Sequence, residues 1–139
     1  YVIAQAEKLI GTHYFWGGRS PAQRHYPNTI TGVDCSGLTN LAYRSSGIDI
    51  PRDAHEQFLR ARPLHQPRPA DPIFLSSQED PKRIVHVMLY RGMNEIIEGP
   101  GTGQQVRRST VIQRLGKPIE ALPPGSRVDG QTLWYGSYF

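Results

Sequence analysis

A single cysteine, Cys35, serves the whole chain of 139 residues. That scarcity excludes an internal disulfide and a multi-cysteine zinc site, and it leaves the redox compartment open. The histidines, His13, His25, His55, His65 and His86, never fall at the H-E-x-x-H type of helical spacing, so neither a metal nor another cofactor is expected. No apolar run approaches the roughly 20 residues that span a bilayer. No internal repeat is present, and the arginines are not interleaved with aromatics, which argues against a nucleic-acid partner. What the chain does carry is an excess of positive charge, +4. It suits anionic surroundings such as cell-wall polymer or a membrane surface, although much of it also serves as ordinary solvated surface.

The length fits one domain around one modest core, and no composition shift marks a second. The chain opens at Tyr1 inside a helical pattern, with neither an initiator methionine nor a signal-like region. It is therefore read as residues 1–139 of a single domain excised from a longer chain, with targeting information or a further domain upstream. Val2, Ile3, Ala6, Leu9 and Ile10 form the apolar stripe of a first helix stopped by Gly11. Residues 19–33 lack any period and read as a long ordered loop. Asp53-Ala54-His55-Glu56 has the form of a capping box opening a short helix over about 53–61, with Ala54, Phe58 and Ala61 inward and His55 a surface or packing residue. The proline-rich stretch 63–72 reads as an extended connector.

Then the period changes to two. Residues 73–75 and 84–90 read as strands, and 95–98 as a strand returning from the Arg91-Gly92-Met93-Asn94 turn. Ile84, His86, Met88 and Tyr90 share one face. Further strands are expected at 104–108, 119–122 and 132–135, with a short helix over 110–115.

The chemistry centres on Thr31-Gly32-Val33-Asp34-Cys35-Ser36-Gly37-Leu38. From Cys35 onward, Leu38, Leu41, Ala42 and Ser45 recur at helical spacing, and Gly47 closes the helix. Cys35 thus falls in the first turn, where unpaired N–H groups and the helix dipole favour thiolate over thiol and can receive an oxyanion. The competing reading of Cys35 is a small buried core residue. An odd-numbered connection centred on Gly92 pairs Tyr90 with Asn94, Met88 with Ile96 and His86 with Glu98. It sets the last two roughly 4.5 to 5.5 Å apart at Cβ, where the carboxylate can hold the imidazole's orientation. The competing reading is an incidental pair at a sheet edge.

A cysteine at a helix start, a histidine on a following strand and a polar residue on the next make the papain-like arrangement. The chain resembles the NlpC family of cell-wall cysteine peptidases. The resemblance runs from Tyr1 to about Arg108, through Tyr14-Phe15-Trp16-Gly17-Gly18-Arg19-Ser20-Pro21, Asp34-Cys35-Ser36-Gly37-Leu38, Pro51-Arg52 with Gln57, Asp71-Pro72-Ile73-Phe74 and His86-Val87-Met88-Leu89-Tyr90. It implies an α+β papain-like fold, with the cysteine helix packed on a central antiparallel sheet. It also implies hydrolysis of peptidoglycan stem peptides, typically between D-glutamate and a diamino acid such as diaminopimelate, in the periplasm, cell envelope or outside the cell.

Position by position, the resemblance assigns Cys35 as nucleophile, His86 as base and Tyr14 as a tyrosine near the active site. Asp34 and Ser36 flank the nucleophile where family members contact the substrate's free amine, and Asp34 is equally suited to be a helix N-cap. Trp16, with its large apolar body and polar tip, is a candidate lining residue of the cleft. Two departures stand out: Glu98 occupies the place where the family usually has histidine, and the loop between Gly18 and Asp34 is longer than usual. An amidase or acyltransferase using the same thioester, and a non-catalytic wall-binding module that keeps the fold, are the alternatives.

Overall fold

Nine residues, Ile84–Gly92, with Val87 to Tyr90 all buried, form the longest strand, and the fold is built outward from it. The computed structural model describes residues 2–7, 13–14, 19–20, 32–33, 35–99 and 106–138, the short pieces before 35 after residue 7 by their backbone alone. In chain order the elements are α1 (Val2–Glu7), β1 (His13–Tyr14), β2 (Arg19–Ser20), β3 (Gly32–Val33), α2 (Cys35–Arg44), α3 (Ala54–Arg60), β4 (Arg62–Leu64), β5 (Pro72–Ser76), β6 (Ile84–Gly92), β7 (Glu95–Glu98), β8 (Arg107–Thr110), α4 (Val111–Leu115), a 3-10 turn (Ile119–Ala121), β9 (Arg127–Val128) and β10 (Gln131–Ser137). The main sheet runs β4-β10-β5-β6-β7-β8, with β9 also on β10, and every pairing in it is antiparallel. A small second sheet has the order β1-β3-β2. The expected α+β architecture, a cysteine helix on a central antiparallel sheet, is the one observed.

The two-residue period of the strands sorts the core into two sides. Leu89 and Ile97 pack with Val2 and Ala6 of α1 and with Leu38, Ala42 and Tyr43 of α2. Their neighbours Met88, Tyr90 and Ile96 pack instead with Val111 and Leu115 of α4 and Ile119 of the 3-10 turn. The sheet is thus buried on both sides, and α2 carries Cys35 on one of them.

Several local expectations are corrected. Residues 62–64 at the start of the proline-rich stretch form an edge strand against β10, where Pro63 has no ladder donor to lose. Residues 119–121 form a 3-10 turn begun by Pro118, not a strand. Asp53 adopts the extended N-cap conformation of α3, but its side chain makes no capping bond. The buried residues of α3 are Ala54 and Gln57, with Phe58 and Ala61 only partly covered. Of the expected loop, 19–20 and 32–33 pair as strands, and 21–31 lies outside the described residues, as do 8–12 at the expected end of the first helix and 104–105 before β8. Helix α4 is capped as its sequence invites: Thr110 accepts from Gln113 N, and the Gln113 side chain accepts from Thr110 N.

Strand β10 passes close to the end of α3 at Gly136. A Cβ there would lie 2.6 Å from the Ala61 Cβ and 3.1 Å from Phe74 Cε2. Gly136→Ala is therefore expected to destabilise the fold by about 1 to 3 kcal/mol through overpacking, read as a lower midpoint in urea unfolding at unchanged slope.

Candidate active site

Cys35 is the first residue of α2 and lies in a cluster with Ala54, Phe74, Ile84 and Val87. Cys35 is buried, at 7% exposure. The turn that carries it is fixed from outside the helix. The Gln57 side-chain amide donates to Ser36 O at 3.0 Å and to Pro51 O at 2.9 Å, and Arg52 Nη1 donates to Ser36 Oγ at 2.8 Å. Gln57 is fully buried, so this anchor sits in a dry environment where its bonds count for more.

The histidine is aimed by two irregularities in β6. On the β5 side the ladder runs Leu75 to His86 and then Ser76 to Ile84, so Val85 bulges outward and is 49% exposed. The bulge moves Ile84 into the cluster with Cys35 and Val87, correcting the expectation that Ile84 shares a side with Met88 and Tyr90. The freed backbone N–H of Ile84 donates to Nδ1 of His55 at 3.2 Å, and His55 is a brace for the strand, in keeping with its expected packing role.

The second irregularity overturns the expected register. The hairpin turn is the two-residue Met93-Asn94, both left-handed at φ 53° and 57°, with Gly92 opposite Glu95. Such a turn alone would put Glu98 on the wrong face, because a one-residue slip reverses every side chain. Arg91 bulges, however, and the ladder resumes with Tyr90 opposite Ile96 and Leu89 opposite Ile97. Continued by one residue, that register sets Glu98 across from Met88 and diagonal to His86. The side is the expected one and the partner is not.

The diagonal is short enough for a direct bond. His86 Nε2 lies 2.7 Å from Glu98 Oε2, and Cys35 is near enough to the ring to raise its pKa. With Nε2 held by the carboxylate, Nδ1 is the nitrogen left for the sulfur. Burial pushes the imidazole down, but hydrogen bonds and charge from Cys35 and Glu98 outweigh it and raise it from 6.5 to about 9. Glu98 is itself fully buried. Burial pushes its carboxyl up, and the opposing pull of His86 and Arg114 leaves it below the ordinary carboxylate value. Its second oxygen, Oε1, accepts from Arg114 Nε at 2.7 Å and from Arg107 Nη2 at 3.4 Å.

Three of the expected residues, Cys35, His86 and Glu98, therefore converge. Ser36 lies beside them, tied to Arg52. Tyr14 is placed by its backbone alone, in β1, with Tyr14 alongside Val33 in a parallel pair. Asp34 and Trp16 lie outside the described residues. Among the described residues no group of three or more His, Cys, Asp or Glu is placed to hold a metal.

A cysteine at a helix start and a histidine and carboxylate on two strands are thus in place, and the model of the NlpC/P60 family matches residues 11–118. The chain belongs to the NlpC/P60 family. Gamma-D-glutamyl-L-lysine dipeptidyl-peptidase of Bacillus subtilis (strain 168) is 29% identical over 116 residues, 82% of this chain and 36% of that protein. Peptidoglycan endopeptidase RipB of Mycobacterium tuberculosis (strain CDC 1551 / Oshkosh) is 35% identical over 118 residues, 80% of this chain and 47% of that protein. The chain spans less than half the length of the curated relatives it matches. Among solved structures, RipD of Mycobacterium tuberculosis, described as a non-catalytic NlpC/p60 domain protein adapted to peptidoglycan binding, superposes at a TM-score of 0.72 with 25% identity, over 99% of this chain and 95% of that one.

Within this NlpC/P60 domain, sequence reasoning missed the arginines on Glu98 and the anchor from Gln57 to the nucleophile turn. Gln57 was visible as part of the Pro51-Arg52 motif. Arg114 gave no local signal, since its partner is 16 residues away across a strand and a helix cap.

Proposed function

We propose that this domain is a cysteine endopeptidase that hydrolyses peptidoglycan stem peptides at the bond between D-glutamate and a diamino acid. The observation that carries the reading is the grouping of Cys35 and His86 with the buried carboxylate of Glu98, which bonds the imidazole at 2.7 Å. An imidazole raised to about 9 holds its proton at neutral pH, which favours a thiolate–imidazolium pair over two neutral groups.

The Cys35 thiolate attacks the scissile carbonyl carbon, forming the C–S bond and moving the π electrons onto oxygen. The positive end of the α2 dipole, where Cys35 sits, stabilises that oxyanion. As the tetrahedral intermediate collapses, the C–N bond breaks and His86 Nδ1 delivers its proton to the leaving amine. Neutral His86 then takes a proton from water, whose oxygen attacks the thioester. The acid leaves, and the protonated imidazole and thiolate are restored. Glu98 holds Nε2–H throughout and stabilises the charged ring. Asp34, Ser36, Tyr14 and Trp16 are proposed to border the substrate, and the surplus positive charge suits an anionic wall polymer outside the cytoplasmic membrane.

Digestion of defined muropeptides followed by mass spectrometry tests this. The expected result is two fragments whose masses sum to the parent plus one water, with the new amine on the diamino acid. Product that instead incorporates an added amine would make the enzyme an acyltransferase. The likeness to RipD favours a second reading, a wall-binding module; retention on insoluble peptidoglycan with every muropeptide left intact would establish it.

A further inference from the structure

We propose that Arg114 is a positioning residue for Glu98: by holding Oε1 it keeps Oε2 on the imidazole, acting on the reaction only through the carboxylate. The proposal rests on the cysteine-hydrolase reading for its chemistry, but its geometry stands by itself. Glu98 divides its oxygens, Oε2 to His86 and Oε1 to the arginines. A carboxylate bound at one oxygen alone turns about its last bond, and a second anchor removes that freedom.

The two arginines are not equivalent. Arg107, directly opposite Glu98 on β8, is half exposed and reaches Oε1 at 3.4 Å through a terminal nitrogen. Arg114 is 22% exposed and reaches it at 2.7 Å through Nε, close to the stem where the side chain is stiffest. It also rides on an element seated at both ends. Val111 N donates to Asn94 O in the hairpin turn, Thr110 and Gln113 close a capping box, and Val111 and Leu115 are buried beneath the sheet. Asn94 Oδ1 accepts from Ile119 N, fixing the segment after α4 to the same turn. The bulged hairpin that brings Glu98 to His86 is thus the part that holds the helix carrying Arg114.

Among the described residues, the charged groups facing Glu98 are His86 from β6, Arg107 from β8 and Arg114 from α4, with Cys35 of α2 beyond the imidazole. His86 does most to offset the burial of Glu98 and Arg114 comes next; removing Arg114 lets the carboxylate take up a proton more readily, so the paired state of Cys35 and His86 fails at higher pH on the acid side.

The test is the rate of Cys35 alkylation by iodoacetamide against pH, which needs no peptide substrate. Arg114→Gln is expected to move the acid limb up by about one pH unit, Arg114→Lys by less, and Arg107→Gln by less than Arg114→Gln. In a Glu98→Gln background Arg114→Gln should add nothing. A shift no larger than that of Arg107→Gln, or one equally large without Glu98, would overturn the proposal. Urea unfolding checks each fold; if Arg114→Gln does not fold, Arg114→Lys against Arg107→Lys carries the test, and equal limbs overturn it. With muropeptide, kcat should fall about ten-fold while KM holds within about two-fold, as for a misplaced group remote from the substrate. A parent protein that alkylates normally but leaves muropeptides intact would sink the peptidase reading and leave the alkylation result to decide Arg114.

Discussion

Cys35→Ala is expected to lose at least about 10⁴-fold in muropeptide hydrolysis while keeping its fold. The sequence has one thiol to use, and Cys35 is the nucleophile among the groups that raise His86. Alanine fills most of the same space among Ala54, Phe74, Ile84 and Val87, so the stability cost is on the order of 1 kcal/mol, at the low end of large-to-small core changes. The Gln57 and Arg52 bonds that fix the turn go to Ser36 and are untouched. Steady-state hydrolysis and thermal unfolding of the same preparation separate the two effects. The grouping of the three also predicts strong non-additivity. Adding His86→Ala to Cys35→Ala should cost almost nothing further, because the imidazole acts only through the sulfur it serves. Turnover in the single variant within about ten-fold of the parent would remove Cys35 from the mechanism.

The legible and illegible parts of this molecule divide along physical lines. Elements with a simple sequence signature were readable: β6 from its β-branched and aromatic residues, and α2 from the recurrence after Cys35. So was the family resemblance, because Cys35 and His86 each sit in a local motif. The pairing of His86 with Glu98 was expected for a reason that proved wrong. An odd connection centred on Gly92 was to set them opposite. Instead Met93 and Asn94 make a two-residue turn, and a bulge at Arg91 restores the side on which Glu98 lies. Bulges leave no periodic trace, since one extra residue in nine still reads as alternation. Pro118 opening a 3-10 turn and Pro63 at a sheet edge follow the same rule: what the backbone does at such residues depends on neighbours far along the chain. The arginines on Glu98 are the extreme case, visible only when β7, β8 and α4 are in place.

Glu98→Gln is the sharper test of that buried carboxylate, because it keeps size and an acceptor and removes only charge. The expected loss in kcat/KM at neutral pH is about 10² to 10⁴-fold, since the ring keeps its place while the charge that stabilises imidazolium disappears. The sign of the pH effect follows from what surrounds the ring. Burial pushes His86 down, and the hydrogen bond and charge of Glu98 are among the influences that lift it to about 9. Without them the imidazole loses its proton at lower pH, and the alkaline limb of kcat/KM should move down from near 9 toward neutrality. Stability must follow the same linkage. A ring at 6.5 when unfolded and about 9 when folded stabilises the native state fully below 6.5, and that contribution is lost as the pH rises through 9. The depressed carboxyl of Glu98 stabilises the fold fully above its ordinary value of 4.5, and that contribution is lost as the pH falls from there through its lower folded value. Glu98→Gln should therefore flatten the unfolding midpoint against pH on both sides. An alkaline limb that stays near 9, with stability still falling on both sides as in the parent, would mean that Glu98 serves only to seat Arg114 and Arg107.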